Sequence, residues 1–567
     1  MKEIIIKLLE KQLKELKVDV DAKEIMEVLR IPPSHDLGDF SFPCFILSKT
    51  LKQNPAQIAN LLAGQIEKTK GEEIEKIEVK GPYINFFVDK SLMAHKVIRA
   101  VEQKKDDFCK GNIKIGKIMV EFPAPNTNKP LHLGHLRNMA IGESISRILE
   151  YNHNQVVRTN LNNDRGIHIC KSMLAYRKFG ANKPPDKKTD HFVGDFYVLY
   201  NQKVKENPAI EKEVEEMLRK WEAGDKEVVD LWKKLNNWAL DGFEQTYKAF
   251  GIKHDRDYYE HEIYTEGKEI VAEGLKKGIF EKRDDGAIII NLEKEGFDEK
   301  VLMRADGTSI YITQDLYLAK LKDDEYHLDG SIYVVGNEQE YHFKVLFLIL
   351  KKLGFKFAEN LKHLSYGMVV LPEGKMKSRE GTVVDADDLM EEVNTLARKE
   401  LEARYRLPEE ELTRRSHKIA TAAINYTLLK VDVFKNMVFN PQESISFEGD
   451  TGPYILYTYA RASSIVRKFG KPISYDLPVK ILEEAENTLV KKINEFPGVV
   501  EQAAEKYNPS LIAHYSFDLA KIFNEFYHTC PVINSDNENS RIRLIETFRT
   551  IMKNSLYLLV IDAIEEM

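Results

Sequence analysis

A short apolar run that leads through a proline-rich loop into a helix constrains the fold more than any other feature of this sequence. Residues 118–120 (IMV) predict a buried strand, and residues 121–130 (EFPAPNTNKP) form the loop that follows it. Apolar residues then recur at helical spacing between Leu136 and Leu149. Further candidate strands lie at residues 156–157, 332–335 and 368–370. Strands that alternate with helices in this way predict a doubly wound parallel sheet.

The length of the chain predicts several domains. It has 567 residues, of which 43% are hydrophobic, so it exceeds an ordinary domain of ~100–200 residues and is not wholly disordered. Apolar periodicity predicts a small α+β domain, a sheet domain with an insertion and a helical bundle. These occupy residues 1–112, 113–400 (insertion at roughly 175–300) and 401–567. The insertion contains three tryptophans that we expect in its core, Trp221, Trp232 and Trp238.

Charge and cysteine content narrow the class of protein. The net charge is 83 − 90 = −7 with a pI near 6.2, which argues against a strongly basic nucleic-acid binder but allows a local basic surface. No apolar run approaches the ~20 residues of a membrane span, and the charged first turn predicts no secretory signal. Because the cysteines lie far apart without a CxxC pair, we expect a reduced, disulfide-free, intracellular protein without a metal centre. They are Cys44, Cys109, Cys170 and Cys530.

Two histidines stand where the predicted loop ends and the helix begins. His132 and His135 are three residues apart in the run 130–135 (PLHLGH). Ligands of open α/β sheets bind at the carboxyl ends of the strands, and a helix N-terminus offers free N–H groups to an anion. The imidazoles add donors for phosphate oxygens, and Gly134 has no side chain that would obstruct an adenine. The pattern predicts a triphosphate site without a glycine-rich P-loop, although a zinc pair or two helix-capping histidines would have the same spacing.

A second polar segment, residues 374–381 (GKMKSREG), lies between a candidate strand and a predicted helix at 387–398. Its flanking glycines permit a mobile loop, and Lys375, Lys377 and Arg379 supply three cations. Such a loop could close over pyrophosphate as negative charge develops there. Taken alone, a segment of this kind is more often a solvated basic turn.

Together, these two segments resemble the signature motifs of class I aminoacyl-tRNA synthetases in order and separation. Several other runs are similar to the arginyl-tRNA synthetase family. They are residues 121–126 with 129–130, residues 306–308 with Tyr311 and Asp315, residues 335–336 with Gln339 and 342–343, residues 451–454 with 457–461, and the ending at 558–567. The resemblance implies a Rossmann-like catalytic domain at 113–400, an N-terminal domain that binds the tRNA elbow and a helical anticodon-binding domain.

The resemblance also implies roles for individual residues. The catalytic residues would be His132, His135, Lys375 and Lys129. The arginine-binding residues would be Glu121, Ala124, Pro125, Asn126, His135, Tyr311, Asp315 and Gln339. The ATP-binding residues would be His132, Gly134, His135, Lys375, Met376, Lys377 and Ser378.

The chemistry of two of these residues agrees with arginine as the substrate. A guanidinium is a planar fork of donors that a carboxylate accepts in pairs. Tyr311 and Asp315 are four residues apart, so a phenol and a carboxylate share one face if the segment is helical. Without the family spacing, Asp315 would be taken for an exposed helical acid.

Two departures from the family pattern concern the nucleotide. Class I enzymes commonly carry a second lysine where this chain has Ser378, and Lys377 stands one place early. Many arginyl enzymes lack that lysine and use one just before the histidine motif, where Lys129 stands here. Lys129, Lys377 and Arg379 therefore remain alternatives for neutralising the phosphate charge. Residues 162–166 (NNDRG) also replace a Gly-Asp-Trp-Gly stretch, so the contacts on the ribose side depart from the family pattern.

Contacts with tRNA are predicted near both ends of the chain. By resemblance, Tyr83 and Asn85 would face the tRNA elbow, where an aromatic ring stacks on a base and an amide reads its edge. Tyr457, Tyr459 and Arg461 would contact the anticodon loop by stacking and charge. An ordinary core strand and helix-packing aromatics explain the same residues.

The resemblance implies that the chain ligates L-arginine to tRNA(Arg) through an arginyl-adenylate. ATP is a substrate accompanied by Mg²⁺, the family default is a monomer, and we expect a cytoplasmic location without membrane attachment. Three alternatives remain: a class I synthetase for another amino acid, a non-catalytic tRNA-binding scaffold, and a metal-dependent hydrolase that uses the histidine pair. A cysteine-specific synthetase would normally bring zinc-binding cysteines, which the separated cysteines of this chain do not supply.

Overall fold

The computed structural model describes residues 2–18, 20–308, 310–372 and 384–567. The chain divides into two compact units. The first comprises Met1–Phe108, Ile465–Asn494 and Ile522–Thr550, and the second comprises Cys109–Ser464, Glu495–Lys521 and Ile551–Met567.

The N-terminal part of the first unit is an α+β fold, as predicted. Its elements are α1 (Lys2–Glu15), α2 (Ala22–Val28), β1 (Phe40–Pro43), α3 (Ser48–Leu51), α4 (Pro55–Glu67), β2 (Ile74–Lys80), β3 (Tyr83–Val88) and α5 (Lys90–Lys104). The strands form an antiparallel sheet in the order β1-β3-β2. Ile5, Leu9 and Leu13 on one face of α1 pack into the same buried cluster as Leu62 of α4, because residues three and four apart line one side of a helix.

The second unit opens with strands that alternate with helices. The elements are β4 (Lys117–Glu121), α6 (Leu133–Tyr151), β5 (Gln155–Asn162), α7 (Ile167–Phe179), α8 (Thr189–Glu206), α9 (Ile210–Glu222), α10 (Lys226–Phe250), β6 (Arg256–Tyr259), α11 (Glu260–Ile263), α12 (Gly267–Lys276), β7 (Glu281–Lys282), β8 (Ile288–Ile290), β9 (Lys300–Met303), α13 (Tyr311–Tyr326), β10 (Gly330–Gly336), α14 (Glu340–Lys352), β11 (Leu361–Tyr366) and β12 (Val369–Val370).

From residue 386 onward the chain is almost wholly helical, as the apolar periodicity predicted. The elements are α15 (Ala386–Arg404), α16 (Glu409–Leu429), β13 (Met437–Val438), α17 (Pro441–Ser444), α18 (Gly452–Phe469), α19 (Glu484–Lys506), α20 (Ser510–Thr529) and α21 (Glu538–Leu558). Among the described residues, none of the helices combines the length and apolar character that a bilayer crossing requires.

Five parallel strands form the main sheet in the order β11-β10-β4-β5-β6, which confirms the Rossmann-like prediction. Strand β4 is central, with β5 and β6 following on one side and β10 and β11 on the other. The strand order therefore reverses between β4 and β10. In open α/β sheets this switch point forms the crevice in which ligands bind, at the carboxyl ends of the strands.

Some of the strands predicted for this sheet were wrong. The candidate strand at 368–370 is not part of it, because β12 pairs with β13 in a separate two-stranded sheet. The edge strand beside β10 is β11 instead. Strand β6 lies inside the stretch that was treated as an insertion, yet it pairs with β5.

The helices α7–α10 that precede β6 have their own buried cluster. Trp232 is buried in it, while Trp221 and Trp238 are half-buried against it. All four cysteines of the chain are described, and each is buried and free of disulfide bonds.

Candidate active site

The histidine pair caps the helix that follows the central strand. His132 is the N-cap residue of α6, and its Nδ1 accepts a hydrogen bond from the backbone N–H of Gly134 at 3.1 Å. The backbone N–H of His132 donates to Nδ1 of His135 at 3.0 Å. Since each Nδ1 is an acceptor, each neutral imidazole carries its proton on Nε2. The capping role and the phosphate-binding role are therefore compatible, because capping leaves both Nε2–H donors for a ligand.

Both imidazoles are held neutral. Burial, followed by the positive charge of Lys129, lowers the pKa of His132 to about 4. Burial likewise lowers the pKa of His135 well below its usual value, with His132 and Lys129 adding to the effect. The ring centroids are 3.9 Å apart. The site thus offers two neutral hydrogen-bond donors and a nearby ammonium to an anion at the start of α6, where the helix itself favours negative charge.

Glycine at position 134 is required by the capping geometry. A Cβ at this position would lie 2.8 Å from Cε1 and 3.0 Å from Nδ1 of His132. Any larger residue would displace the imidazole that accepts the Gly134 N–H bond. The glycine was predicted to admit an adenine, and its contact with His132 is an additional reason for a small residue.

The segment that leads into α15 runs beside the histidine motif. The backbone N–H of Leu133 donates to the carbonyl of Val384 at 2.9 Å, and that of Ala386 donates to the carbonyl of Leu131 at 3.0 Å. The lysine-rich segment ends just before this pairing. Its predicted site residues Lys375, Met376, Lys377 and Ser378, together with Arg379, lie outside the described residues.

The loop between β4 and α6 is held by the end of β5. Ala124 adopts a positive φ of 56°, which is uncommon for a residue with a side chain. Its N–H donates to Oδ1 of Asn160 at 3.1 Å, and its carbonyl accepts from Nδ2 of Asn163 at 3.1 Å. Pro125 is buried, whereas Asn126 is exposed beside Asn163. The strained backbone is therefore fixed at the edge of the crevice, where the arginine backbone was predicted to bind.

Residues 162–166, which depart from the family pattern, make specific contacts with the helices that follow. Asp164 is fully buried and accepts the backbone N–H of His261 at 3.0 Å, while its carbonyl accepts Nε1–H of Trp232 at 2.7 Å. Arg165 lies 4.1 Å from the ring centre of Tyr264. These contacts anchor the end of β5 to the helices that follow it.

Tyr311 and Asp315 lie in the first turns of helix α13, so the helical condition for their sharing one face is met. Nε2 of His342 lies 2.7 Å from Oδ2 of Asp315, so a side chain that follows β10 orients this carboxylate. Tyr311 as a whole residue is 69% exposed. Loss of water around its hydroxyl, followed by the Glu260 carboxylate, raises the pKa of Tyr311, while Arg165 opposes the effect. Its hydroxyl thus lies within electrostatic reach of the crevice although the ring faces solvent.

Glu260 is a candidate site residue that sequence reasoning missed. It follows β6 directly and is 5% exposed. Burial raises its pKa to about 7, with Arg165 opposing and with Asp164 and Asp315 adding to the rise. An acid at the carboxyl end of a parallel strand would have indicated a site residue. Strand β6 was not predicted from the sequence, so this indication was missed. Glu260 therefore acts electrostatically on the Tyr311 hydroxyl, and Asp315 acts on Glu260.

Glu121 was predicted to bind arginine, and the structure gives its carboxylate a protein partner. The ammonium of Lys322, on α13, forms an ion pair with Oε2 of Glu121. The side chains are 1% and 6% exposed, respectively. Gln339 stands exposed directly before α14, at the opposite side of the switch point from Glu121.

The predicted tRNA contacts differ in accessibility. Tyr83 is 41% exposed and its ring lies 6.0 Å from that of Phe45, so it can stack on a base. Asn85 is 3% exposed and accepts the Ser41 hydroxyl at 2.7 Å, which leaves it a core amide in this structure.

On α18, residues 457, 459 and 461 also differ in their exposure and packing. The guanidinium carbon of Arg461 lies 4.8 Å from the half-buried Tyr457 ring. Tyr459 is 3% exposed and lies in the interior, which agrees with the alternative prediction that it is a helix-packing residue.

A metal-dependent reaction at the histidine pair finds no support among the described residues. Within the described ranges, no third histidine, cysteine or carboxylate lies near enough to His132 and His135 to complete a metal site there. Asp190, His191 and Asp387 have suitable spacing elsewhere. However, the Lys188 ammonium lies 2.6 Å from Oδ2 of Asp387 and 3.1 Å from Oδ2 of Asp190, and supplies the positive charge.

Known protein families match all three parts of the chain. The family described as arginyl tRNA synthetase N terminal domain matches residues 3–88. The family described as tRNA synthetases class I (R), catalytic domain, matches residues 97–441, and the DALR anticodon binding domain matches residues 455–567. The catalytic match extends past residue 400 and includes α16, which was predicted to belong to the helical domain.

Full-length relatives agree with these matches. The chain is 45% identical to an arginine–tRNA ligase of Treponema denticola over 559 residues, which covers 95% of this chain and 94% of that protein. It is 44% identical to an arginine–tRNA ligase of Parabacteroides distasonis over 560 residues, which covers 94% of each. Its fold matches the arginyl-tRNA synthetase of Thermus thermophilus with a TM-score of 0.81 and 26% identity over the whole of both chains.

The catalytic-domain match covers more than half of the chain and agrees with a switch-point crevice that begins at a histidine-capped helix. The fold and site are therefore those of a class I aminoacyl-tRNA synthetase. The matches at both ends and the full-length relatives narrow the assignment, and the chain belongs to the arginyl-tRNA synthetase family.

Proposed function

We propose that the chain ligates L-arginine to tRNA(Arg) with ATP in the crevice between β4 and β10, using the residues described above. Family membership supports the overall reaction. The observation that carries the residue assignment is the carboxylate of Asp315, which His342 orients at 2.7 Å and which acts electrostatically on the buried Glu260. A permanently charged, planar guanidinium is the group that such a pair of acids selects.

Arginine activation proceeds by in-line attack at the α-phosphate of ATP, which enters with Mg²⁺ as the substrate complex. An oxygen of the arginine carboxylate forms a bond to the α-phosphorus, and the bond from that phosphorus to the bridging oxygen breaks. Arginyl-adenylate and pyrophosphate result. The protein supplies position and charge stabilisation rather than a covalent intermediate. Nε2–H of His132 and of His135 donates to phosphate oxygens in the transition state.

We assign the neutralisation of the phosphates to Lys129. Its charge lowers the pKa of both His132 and His135, so it lies within electrostatic reach of the imidazole pair. Lys375 of the lysine-rich segment is assigned to the departing pyrophosphate by family pattern. Lys377 and Arg379 remain alternatives to Lys129 for the second cation.

The arginine site extends from α13 to the loop after β4. Tyr311, Asp315 and Glu260 receive the guanidinium. The backbone end of the amino acid is assigned to Asn126 with its neighbours Ala124 and Pro125, to Gln339 and to His135. Ala124 supports this assignment, because Asn160 and Asn163 hold its unusual backbone conformation in place.

Transfer to tRNA completes the reaction. A hydroxyl of the terminal ribose attacks the arginyl carbonyl, its proton is released, and AMP departs with its phosphate. The helical domain binds the anticodon loop, with the half-buried Tyr457 and Arg461 as contacts, and Tyr83 of the N-terminal domain contacts the tRNA elbow. The enzyme acts as a cytoplasmic monomer, with domains at 1–112, 113–400 and 401–567.

Amino-acid-dependent exchange of labelled pyrophosphate into ATP tests this function. In the presence of tRNA(Arg), arginine should support exchange and the other amino acids should not. Exchange that depends on a different amino acid would refute the assignment. ATP-independent binding of tRNA without any exchange would favour the scaffold alternative.

A further inference from the structure

Three polar side chains converge on one carboxylate in the first turn of α15. Nζ of Lys188 lies 2.6 Å from Oδ2 of Asp387, and Nε2 of His191 lies 2.8 Å from the same oxygen. The hydroxyl of Thr246 donates to Oδ1 of Asp387 at 3.1 Å. Lys188 directly precedes α8, His191 lies on α8 and Thr246 lies on α10. Asp387 therefore ties two of the helices that precede β6 to the beginning of α15.

The carboxylate of Asp387 is ionised in these surroundings. Burial alone would raise its pKa, but the hydrogen bonds from His191 and Lys188 bring the pKa below its ordinary value. The same ammonium lies 3.1 Å from Oδ2 of Asp190, whose side chain is fully buried. Hydrogen bonds between ionised groups are roughly twice as strong as those between neutral groups. The start of α15 is thus held by charge-assisted bonds.

The start of α15 is in turn bonded to the backbone of the histidine motif. His132 and Asp385 face each other in a short antiparallel bridge. The N–H groups of Leu133 and Ala386 donate across the same junction, at 2.9 and 3.0 Å, to the two carbonyls described above. Since Asp387 directly follows Ala386, the bonds that hold Asp387 also hold the strand of backbone that pairs with the motif.

Helix α8 contacts the histidine motif from a second side. A Cβ at Gly194, on α8, would lie 2.7 Å from Cδ of Pro130 and 3.6 Å from Cα of Lys129. A glycine permits this close approach of the helix to the loop. The same helix therefore supports the motif directly, at residues 129–130, and through Asp387 and α15.

We propose that Asp387 is a positioning residue that fixes the Nε2–H donors of His132 and His135 relative to helix α8. It acts through the backbone pairing at residues 131–133 and touches no substrate. This inference rests on the proposed function, in which the two donors stabilise phosphate charge in the transition state. A displacement of about 1 Å at such a group can cost about 10²-fold in rate. The guanidinium pocket lies on other elements, so its affinity should not depend on Asp387.

Substitution Asp387→Asn tests the inference, because the amide keeps the shape of the side chain and removes the charge that Lys188 and His191 contact. Arginine-dependent exchange of pyrophosphate into ATP is measured at saturating tRNA(Arg). We expect the turnover number to fall about tenfold, since the donors are less well placed in the transition state. The KM for arginine should stay within about twofold of the wild-type value.

The backbone of the motif provides a second measurement that does not depend on activity. Hydrogen–deuterium exchange reports how often a backbone hydrogen bond opens. In Asp387→Asn, the N–H groups of Leu133 and Ala386 should exchange about tenfold faster than in the wild type. Both changes are required by the inference. A lower turnover number without faster hydrogen exchange, or faster hydrogen exchange without a lower turnover number, would overturn it.

A matched control replaces another buried and paired carboxylate by its amide. Glu486 is 0% exposed and accepts from Nε of Arg541 at 2.6 Å, and both residues belong to the other compact unit. Glu486→Gln should lower the thermal midpoint but leave the turnover number and the hydrogen exchange of the motif unchanged. If Asp387→Asn behaves like this control, Asp387 is only a structural residue and the inference is overturned.

Two further outcomes are decisive. If Asp387→Asn does not fold, Thr246→Val carries the test, since it keeps the shape and removes one hydrogen bond to Asp387. Its turnover number should fall about threefold with faster hydrogen exchange at the motif, and unchanged values would overturn the inference. A wild-type enzyme without arginine-dependent exchange would refute the proposed function. Hydrogen exchange would still show whether Asp387 holds the motif, so the two failures are distinguishable.

Discussion

His342 and Asp315 are joined by a contact of 2.7 Å between Nε2 and Oδ2, although they lie on different helices. The carboxylate proposed for the guanidinium is therefore oriented before substrate arrives. Such preorganisation reduces the entropy that binding must remove. It also connects α13 with α14, the helices that precede and follow β10 in the chain.

Replacing Asp315 with Asn should weaken arginine binding strongly. The amide keeps the size of the side chain but loses the charge that pairs with the guanidinium, a loss of about 1.5–3 kcal/mol or about 10–100-fold. Steady-state exchange kinetics should show this as a raised KM for arginine, with the KM for ATP unchanged. Equal KM values for arginine in Asp315→Asn and wild type would remove Asp315 from the pocket.

Arginine affinity should depend on pH near neutrality. Burial raises the pKa of Glu260 to about 7 in the free protein, and a bound guanidinium would favour the ionised form. Affinity should therefore fall as the pH decreases through about 7, because protonated Glu260 must lose its proton on binding. Calorimetry in buffers of different ionisation enthalpy should detect proton release.

The matched variant for this pH dependence is Glu260→Gln. It should bind arginine weakly at all pH values and lose the step near pH 7. A variant that retains the full pH dependence would show that another group titrates.

His132→Asn should separate helix capping from phosphate binding. The Asn side chain can still accept the Gly134 N–H bond at an N-cap, but it lacks the Nε2–H donor. We expect near-native thermal stability and a fall of about 10²-fold in the rate of activation, as for one lost transition-state donor. Full activity in His132→Asn would mean that His132 is only a cap.

The pH profile of activation should contain no step from the histidine pair in the neutral range. The pKa of His132 is lowered to about 4 and that of His135 is also well below normal. At saturating arginine, the turnover number should therefore show no imidazole titration between about pH 6 and pH 8. A step near pH 6.5 that disappears in His135→Asn would contradict this state of protonation.

Arg137 should be essential for the stability of the second unit. It is fully buried on α6 and donates to the carbonyls of Gly367 and Lys435, at 2.7 and 2.8 Å, as well as to others nearby. Arg137→Met would leave these carbonyls without a donor, at a cost of about 1–3 kcal/mol for each unsatisfied group. Urea denaturation should show a clearly lower midpoint, and an unchanged midpoint would contradict this role.

Local patterns were sufficient to predict the central strand–loop–helix unit. The apolar run of β4, the prolines and the periodic apolar face of α6 all lie within residues 117–151, so His132 and His135 could be placed at a helix N-terminus. The edge strands β6 (RDYY) and β11 (LKHLSY) carry many polar residues because one side of an edge strand is not covered. They lacked the apolar run that identified β4.

Residues brought together over long distances could not be predicted in the same way. Glu260 and Lys322 are ordinary helical charges in sequence, and only the sheet order places them near Asp315 or Glu121. Conversely, Tyr459 has the sequence context of a nucleic-acid contact but lies inside the helical region. Burial depends on which helix face is covered, and an aromatic residue suits either environment.

A crystal structure of the enzyme with a non-hydrolysable arginyl-adenylate analogue would test the central claim most directly. The guanidinium should lie within hydrogen-bond distance of Asp315 and Glu260, with the phosphate against Nε2 of His132 and His135. A guanidinium bound elsewhere, or a phosphate away from both imidazoles, would contradict the proposed site.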